Sequence, residues 1–588
     1  MPIANAEIAA VFEEIADLLE IEDANPFRVR AYRNAARMLG ELGRSVKEMV
    51  EKNEDLDALP GVGPDLAGKI VEVVSTGTCA ELKRLRQEVM PALADLLKIP
   101  GLGPKRVRTL HQELGIQTLA QLREAAEQGR IKGVHGFGEK SERRILDASA
   151  VLLHQERRYK WADVAPIAAA LLADLKTVPG MHQAVLAGSL RRRRDTVGDV
   201  DLLVTTERPG EVMDRLAGHA EVLRVLGKGL TRCSVVLKSG LQLDLRAIAP
   251  VSFGSAWMYL TGSKAHNIAL RKLAQEVGLK LNEYGLYRAR QRIAGATEED
   301  VFSALGLAFI EPELRESSGE IEAARNRTLP TLVRRDQLLG DLHTHSKDGD
   351  GDDNLEVMAR AAQSRGLHYL AITDHSKRLA MAHGLDVDAL LRQGERIDAL
   401  NSTLQGFTVL KGVEVDILED GTLDLPDDVL RRLDLVVGAV HSGFTLSREK
   451  QTTRLLRAMD HPSFSILAHP TGRLINERAA YDVDLVQVIR KARERACFLE
   501  LNAHPARLDL NDIACRMAKS EGVLVCINSD AHSALQLDNL EHGIGQARRG
   551  WLESGEVLNT RPLGQLRQLL AGTMGSTHSL ATIPLTPD

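Results

Sequence analysis

The sequence has 588 residues, 44% of them hydrophobic and 27% charged, with a net charge of −6. That balance describes a globular chain, and at roughly 150 residues per domain it predicts about four domains. Disordered and collagen-like classes are excluded, as is a membrane-spanning one, since no apolar run nears the roughly 20 residues a bilayer needs. Aromatic residues are only 3%, so the cores must be aliphatic. Five cysteines lie scattered without a CxxC pair, and the opening MPIANAEIAAVFEEIADLLE is acidic and amphipathic rather than a targeting peptide. Both point to a reducing, cytoplasmic setting with buried thiols.

Residues 1–155 show helical apolar spacing throughout, punctuated by three related units: LPGVGPDLAGKI, IPGLGPKRVRTL and VHGFGEKSERRI. Each places a glycine pair directly before a helix. Such a pair lets the backbone turn with positive φ, and the following helix offers unpaired N–H groups to a phosphate oxygen. A single unit reads equally well as a plain helix–helix turn. Three in 85 residues resemble helix-hairpin-helix motifs, which hold the DNA backbone without reading sequence. The resemblance puts the phosphate-facing backbone at Gly61, Gly63, Gly101, Gly103, Gly136 and Gly138.

Residues 181–250 switch to strand-like runs. In AGSLRRRRDTVGDVDLLV, Asp199 and Asp201 fall on one face of a strand, and Asp244 lies in LQLDLRAI, a second strand suited to lie beside it. Three clustered carboxylates make sense as holders of Mg²⁺ or Mn²⁺ for phosphoryl transfer. Gly188 and Ser189, with Arg191 and Arg192, form a turn suited to triphosphate oxygens.

This block, with WMYLTGSKAHNIALRKLAQEVGLKLNEYGLYR at 257–288, resembles the X-family DNA polymerases, the family of DNA polymerase beta. The resemblance covers residues 1–316. It implies that Asp199, Asp201 and Asp244 hold two metal ions and that Asp244 helps deprotonate the primer hydroxyl. It gives Gly188, Ser189 and Arg192 to the triphosphate, Tyr259 and Gly262 to the sugar, Asn267 to the base and Arg271 to the template strand. It also places Lys69 where that family has a Schiff-base lysine for abasic-site lysis, although Asp65 replaces a nearby family lysine. Gln242 is a second departure, standing where DNA polymerase beta has an arginine two residues before the third carboxylate.

Residues 316–336 are polar and read as a linker. From 338 onward, seven apolar, β-branched runs alternate with helical stretches, which predicts a parallel α/β barrel. Ligand-type residues stand where the runs end: His343, His345, His375, Glu414, His441, His469, His504, Asp530 and His532. Chemistry in such barrels gathers at the carboxyl ends of the strands. The segments DLHTHS, AITDHS, GVEVDI, VHS, LAHPTGRL and SDAH resemble the polymerase and histidinol phosphatase (PHP) domain. That resemblance implies up to three Mn²⁺ or Zn²⁺ ions. His343, His345, Glu414 and Asp530 would hold the first. Glu414 would bridge to a second held by His441 and His469, and Asp350, His375 and His532 would hold the third. Asp350 is preferred to its neighbours Asp348 and Asp352, and His504 is either an outer ligand or none.

The expected fold is therefore multidomain: an α-helical helix-hairpin-helix region, an α+β nucleotidyltransferase palm and a C-terminal α/β PHP barrel of about seven strands. The expected boundaries are a lyase-like helical domain at 1–85, a hairpin domain at 86–158, the palm at 159–250 and a nucleotide-closing subdomain at 251–316. A linker at 317–337, the PHP domain at 338–575 and a tail at 576–588 complete the chain. The resemblances imply a monomeric, cytoplasmic DNA polymerase that uses deoxynucleoside triphosphates to fill gapped or nicked DNA in base-excision or end-joining repair. They imply a Mn-dependent 3′–5′ exonuclease or 3′-end phosphoesterase as well, with abasic-site lyase or endonuclease activity as a further possibility. Two rivals are a DNA end-binding scaffold with only the PHP site active and a small-molecule phosphatase. The intact carboxylates and the hairpin motifs, respectively, speak against them.

Overall fold

A computed structural model describes residues 5–573 apart from 23, 43–45, 53, 60–61, 89–92, 94–95, 98, 100–101, 157 and 379–382. Two compact units result, Met1–Arg157 and Arg158–Asp588. No helix among the described residues is long and apolar enough to cross a membrane.

The first unit is helical. Helices Asn5–Ile21 and Pro26–Glu41 pack through Phe12, Ile15, Tyr32 and Leu39, and one aliphatic core runs on through Ile70 and Leu110 to Leu122 and Ile131. Two hairpin helices, Pro64–Thr76 and Pro104–Leu114, begin alike. Gly63 and Gly103 are their N-caps and proline occupies the first turn, where a missing N–H costs nothing. The expectation that these glycines serve positive φ is corrected here, because Gly63 (φ −104°) and Gly103 (φ −80°) are extended. Of the four described glycines only Gly136 is left-handed, at φ +84°. A Cβ at Gly63, Gly103, Gly136 or Gly138 would meet nothing within 4 Å, so what glycine keeps open there is access to the helix N-terminus. Gly61 and Gly101 lie outside the described residues.

The second unit begins with a five-stranded sheet: β1 (Met181–Leu186), β2 (Asp199–Thr206), β3 (Val222–Lys228), β4 (Arg232–Leu237) and β5 (Gln242–Ala247), in the order β1-β2-β5-β4-β3. Only β2 and β5 run parallel. Helices Trp161–Leu175 and Pro209–Ala217 add Leu171, Leu175, Val212 and Leu216 to its aliphatic core. Helices Phe253–Thr261 and Lys264–Glu276 follow, with a small antiparallel sheet (Lys280–Asn282, Gly285–Arg288, Gln291–Ala294) and helix Glu298–Ala304.

The segment at 317–337, read from its polarity as a linker, is packed. It holds helix Glu320–Asn326, and Glu320 is fully buried, its Oε1 lying 2.6 Å from Nδ1 of the equally buried His266. Further on, Val333 N–H donates to Leu552 O and Leu332 bridges Glu553. Most of its polar residues are exposed; what packs is Glu320 with Ala324, Leu332 and Val333, which composition cannot show.

The seven apolar runs become eight parallel strands in two sheets. The first has the order β6 (Gly340–Thr344), β7 (Tyr369–Ile372) and β8 (Thr408–Lys411). The second has the order β9 (Glu414–Asp416), β10 (Val437–Ala439), β11 (Ile466–Leu467), β12 (Phe498–Asn502) and β13 (Val525–Asn528). The third run divides at Gly412, where a Cβ would lie 2.7 Å from Thr373 Cγ2 and 3.1 Å from a backbone oxygen. Parallel bridges His375–Glu414 and Thr344–Ala531 join the two sheets at both edges.

Candidate active sites

The first site lies on the parallel pair β2–β5. Register puts Asp201 opposite Asp244 and Asp199 opposite Gln242, so the two-residue period of each strand brings all three carboxylates to one face. Burial, then the neighbouring Asp199 and Asp244, push the Asp201 carboxyl up to about 7. A divalent cation among these oxygens would relieve that repulsion, so the residues fit Mg²⁺ or Mn²⁺. Asp244 is restrained by Ser234 Oγ, by Gln242 Nε2 at 2.8 Å and by Arg232 Nη2 at 3.3 Å. Gln242 thus still holds the third carboxylate, with a neutral donor.

Gly188 is left-handed (φ +63°) and opens the turn Gly188–Arg191 directly against Asp201, with Ser189 half-buried beside it. The two arginines that follow part company. Arg192 donates to the Thr261 carbonyl and to Glu316. Arg191, grouped with it in the sequence as a phosphate contact, is instead committed to the neighbouring subdomain. It makes two hydrogen bonds to Glu298, at 2.8 and 2.6 Å, and lies 3.4 Å over the Trp257 ring. Glu298 also takes Arg315, fully buried between Phe302 and Phe309. Gly262 approaches Arg192: a Cβ there would lie 3.1 Å from its Nη1. Asn267 Nδ2 donates to Tyr259 O at 2.7 Å, and Arg271 Nη2 to Tyr259 Oη at 3.1 Å. In the first unit, Lys69 is paired with Asp65 and stands 6.0 Å from the Tyr32 ring centre. Although burial opposes it, Asp65 and Tyr32 hold its ammonium above the ordinary lysine range.

The second site gathers at and beyond the carboxyl ends of β6, β7, β8, β10, β11 and β13, with Glu414 opening β9. Three groups of ligand atoms lie within 4.8 Å of one another: His343, His345 and Asp530; His375, Glu414 and His441; and His345, Asp350, His375 and His532. His345 and His375 each serve two groups. Glu414 is the hub, with Oε2 2.8 Å from His375 and 3.3 Å from His343, and Oε1 2.9 Å from His469 and 3.2 Å from His441. Asp350 joins the cluster, whereas Asp348 is engaged by Arg396 and Gln393. His504 stays outside, its Nδ1 accepting from Ala506 N–H.

The cluster fits metal ions on its own evidence. His343 Nε2, both His345 nitrogens, His375 Nδ1, Asp350 Oδ1 and Glu414 Oε2 are buried without a hydrogen-bond partner, which is costly unless a cation takes them. Imidazole with carboxylate suits Zn²⁺ or Mn²⁺ rather than Ca²⁺. Burial, then His532 and His375, lower His345 to about 4. Although burial opposes it, the surrounding histidines hold Glu414 well below the usual carboxylate range. Three buried carboxylates missed in the sequence stand behind these ligands. Glu500 lies 2.7 Å from His343 Nδ1 and accepts from His469 N–H; Asp416 lies 2.6 Å from His441 Nδ1; Asp341 accepts from the His343 and Ser529 N–H groups. A carboxylate inside an apolar strand, as in CFLELN and GVEVDI, was the available signal.

Comparison with known proteins gives the family of the chain. The chain is 39% identical over 568 residues to the DNA polymerase/3′-5′ exonuclease PolX of Bacillus subtilis, covering 96% of this chain and 99% of that one. The chain belongs to the PolX group of X-family DNA polymerases. Family profiles match in the same order along this PolX homologue: a helix-hairpin-helix domain at 3–79, a SAM-like helix-hairpin-helix tandem at 93–149, a DNA polymerase beta thumb at 256–316 and a PHP domain at 341–504. Smaller proteins resemble part of the chain. A probable phosphatase of Thermoanaerobacter sp. is 28% identical over 245 residues, 40% of this chain and 95% of that one. Another, of Acetivibrio thermocellus, is 29% identical over 34% of this chain and 82% of that one.

Proposed function

We propose that this PolX homologue fills short gaps in DNA during repair and trims DNA 3′ ends with a second, Mn²⁺-dependent site. The observation that carries the reading is the pairing of Asp201 with Asp244 in a chain that also holds the His343–His532 cluster. The two parallel sheets, bridged at both edges, support reading 338–575 as one closed barrel. The hairpin glycines are read as backbone contacts that fix the DNA without regard to sequence. Five free, buried cysteines support a reducing, cytoplasmic setting.

Asp199, Asp201 and Asp244 would hold Mg²⁺ or Mn²⁺ in the first site, and His343, His345, Asp350, His375, Glu414, His441, His469, Asp530 and His532 up to three Mn²⁺ or Zn²⁺ in the second. When bound, such ions acidify the attacking oxygen and neutralise the phosphate. The chain's own residues do the rest. Asp244, held by Ser234 and Gln242, presents a carboxylate to the primer hydroxyl. Ser189, Gly188 and Arg192 receive the triphosphate. Tyr259 and Gly262 lie against the sugar, and Asn267 and Arg271 against base and template. In the second site, Glu500 and Asp416 fix the rings of His343 and His441 so that the opposite nitrogen faces the cluster.

Primer extension on a gapped duplex, with Mg²⁺ or Mn²⁺ and with or without deoxynucleoside triphosphates, tests both activities. Lengthening with nucleotide and shortening without it are expected. Shortening without any lengthening, from a folded preparation, would leave an end-binding nuclease and refute the polymerase.

A further inference from the structure

Arg192 stands where three parts of the second unit meet. Its Nε donates to Glu316 Oε1 at 2.9 Å. The same oxygen accepts from Arg549 Nη1, also at 2.9 Å, at the end of helix Leu540–Arg549 in the PHP portion. Arg549 Nη1 reaches the backbone carbonyl of Arg192 as well, at 3.1 Å, while its Nη2 binds Asp512. Arg194 adds a more distant cation, 3.8 Å from Glu316. The Arg549 side chain is only 2% exposed and that of Arg192 13%, so water does little to screen this group.

The placement poses a competition. A guanidinium that is to receive a triphosphate already faces a carboxylate, and Arg–carboxylate pairs withdrawn from water are strong. The carboxylate is, however, shared with a cation from another part of the chain. Removing one partner of a buried charge group throws its charge onto those that remain. Without Arg549, Glu316 would have Arg192 as its one close cation.

We propose that Arg549 is a positioning residue for nucleotide binding: by sharing Glu316, it keeps Arg192 available to the triphosphate. The PHP portion thereby completes the polymerase site without contributing to its chemistry. This inference rests on the reading of Arg192 as a triphosphate ligand.

The test uses the full chain on single-nucleotide gapped DNA, with KM for the deoxynucleoside triphosphate and kcat measured separately. Arg549→Gln keeps hydrogen-bond donors and removes only the charge. It is expected to raise KM about tenfold with kcat within threefold, and Arg549→Lys to stay within threefold of wild type. The double variant Arg549→Gln/Glu316→Gln is expected to return KM to the wild-type range. Metal content and 3′-end hydrolysis are expected within twofold of wild type in each. An unchanged KM in Arg549→Gln, or a rise that Glu316→Gln fails to reverse, overturns the inference and leaves Arg549 as a domain-docking residue. Glu316→Gln alone covers the case in which Arg549→Gln does not fold: it is expected to lower KM, and a tenfold rise overturns the inference. Arg192→Ala separates the two readings. A KM unchanged there refutes the triphosphate assignment itself, whereas a raised KM there with normal Arg549→Gln refutes only the present proposal.

Discussion

Replacing Gly188 with alanine tests the polymerase site without replacing a carboxylate. A Cβ at this position would lie 2.3 Å from Asp201 Oδ2 and 3.2 Å from its Cγ. Non-bonded atoms settle at about 3.5 Å, so the carboxylate must retreat by about 1 Å. It has little freedom to do so, being a short side chain fixed on β2 opposite Asp244. The left-handed backbone (φ +63°) adds about 1–2 kcal/mol for any residue with a Cβ. A misplacement of about 1 Å in a reacting group costs on the order of 10²-fold in rate. Single-turnover insertion into a one-nucleotide gap, at saturating nucleotide, is therefore expected to slow about 10²-fold. Trimming of 3′ ends by the same preparation is expected to stay near wild type. A folded Gly188→Ala protein that inserts within threefold of the wild-type rate would refute the placement of Asp201 in that reaction.

Glu500→Gln weakens the anion behind His343, and such outer partners are worth about 10–100-fold in metal affinity; full metal content after dialysis, with normal trimming, would show that Glu500 has no such role. Asp201 gives a pH prediction. Its folded value of about 7 lies above the ordinary range near 3.9, so the native chain keeps a proton that the unfolded chain sheds between about pH 4 and 7. This group's contribution to metal-free stability is thus present at low pH and lost as pH rises through about 7. Calorimetry of Mg²⁺ binding at pH 6, in buffers of different ionisation heat, is expected to show about one proton fewer released by Asp201→Asn than by wild type; equal release would refute the shift. For Lys69, the ion pair with Asp65 favours the charged, non-nucleophilic amine, so Asp65→Ala is expected to increase borohydride-trapped adduct on an abasic-site oligonucleotide severalfold. An adduct that persists in Lys69→Ala would clear this lysine.

What the sequence revealed and what it hid follow from the range of the forces involved. The period of two in DVDLLV and LQLDL predicts that the carboxylates share a face, and pairing of β2 with β5 needs only that alternation. Most PHP ligands are legible because an apolar run ends near each, the run CFLELN being the exception, since His504 after it stays outside the cluster. Asp350 is separated from Asp348 by a long-range partner, Arg396, which no local pattern announces. Arg191 and Arg192 look equivalent in RRRR, yet Glu298, 107 residues away, takes one of them. The stretch at 317–337 misleads for a related reason: its many exposed polar residues hide one buried pair, Glu320 with His266, and the buried Leu332 and Val333 that dock it.

That packed stretch also bears on how the two halves can be separated or recombined. Ala308 N–H donates to Ala324 O, so the first part of the stretch is structurally the end of the thumb, while Thr331 to Val333 are bonded to Leu552 and Glu553. A cut at 337 would strip the PHP portion of the segment that bonds to Leu552 and Glu553, and one at 317 would leave His266 without Glu320. The seam suitable for grafting lies instead in the short span at 327–330, between these two attachments. A tether would let either catalyst drift in sequence without regard to the other. Here a substitution on one side of the seam changes the surface that the other must match, so transplanted halves from diverged relatives are expected to need their seam residues moved with them.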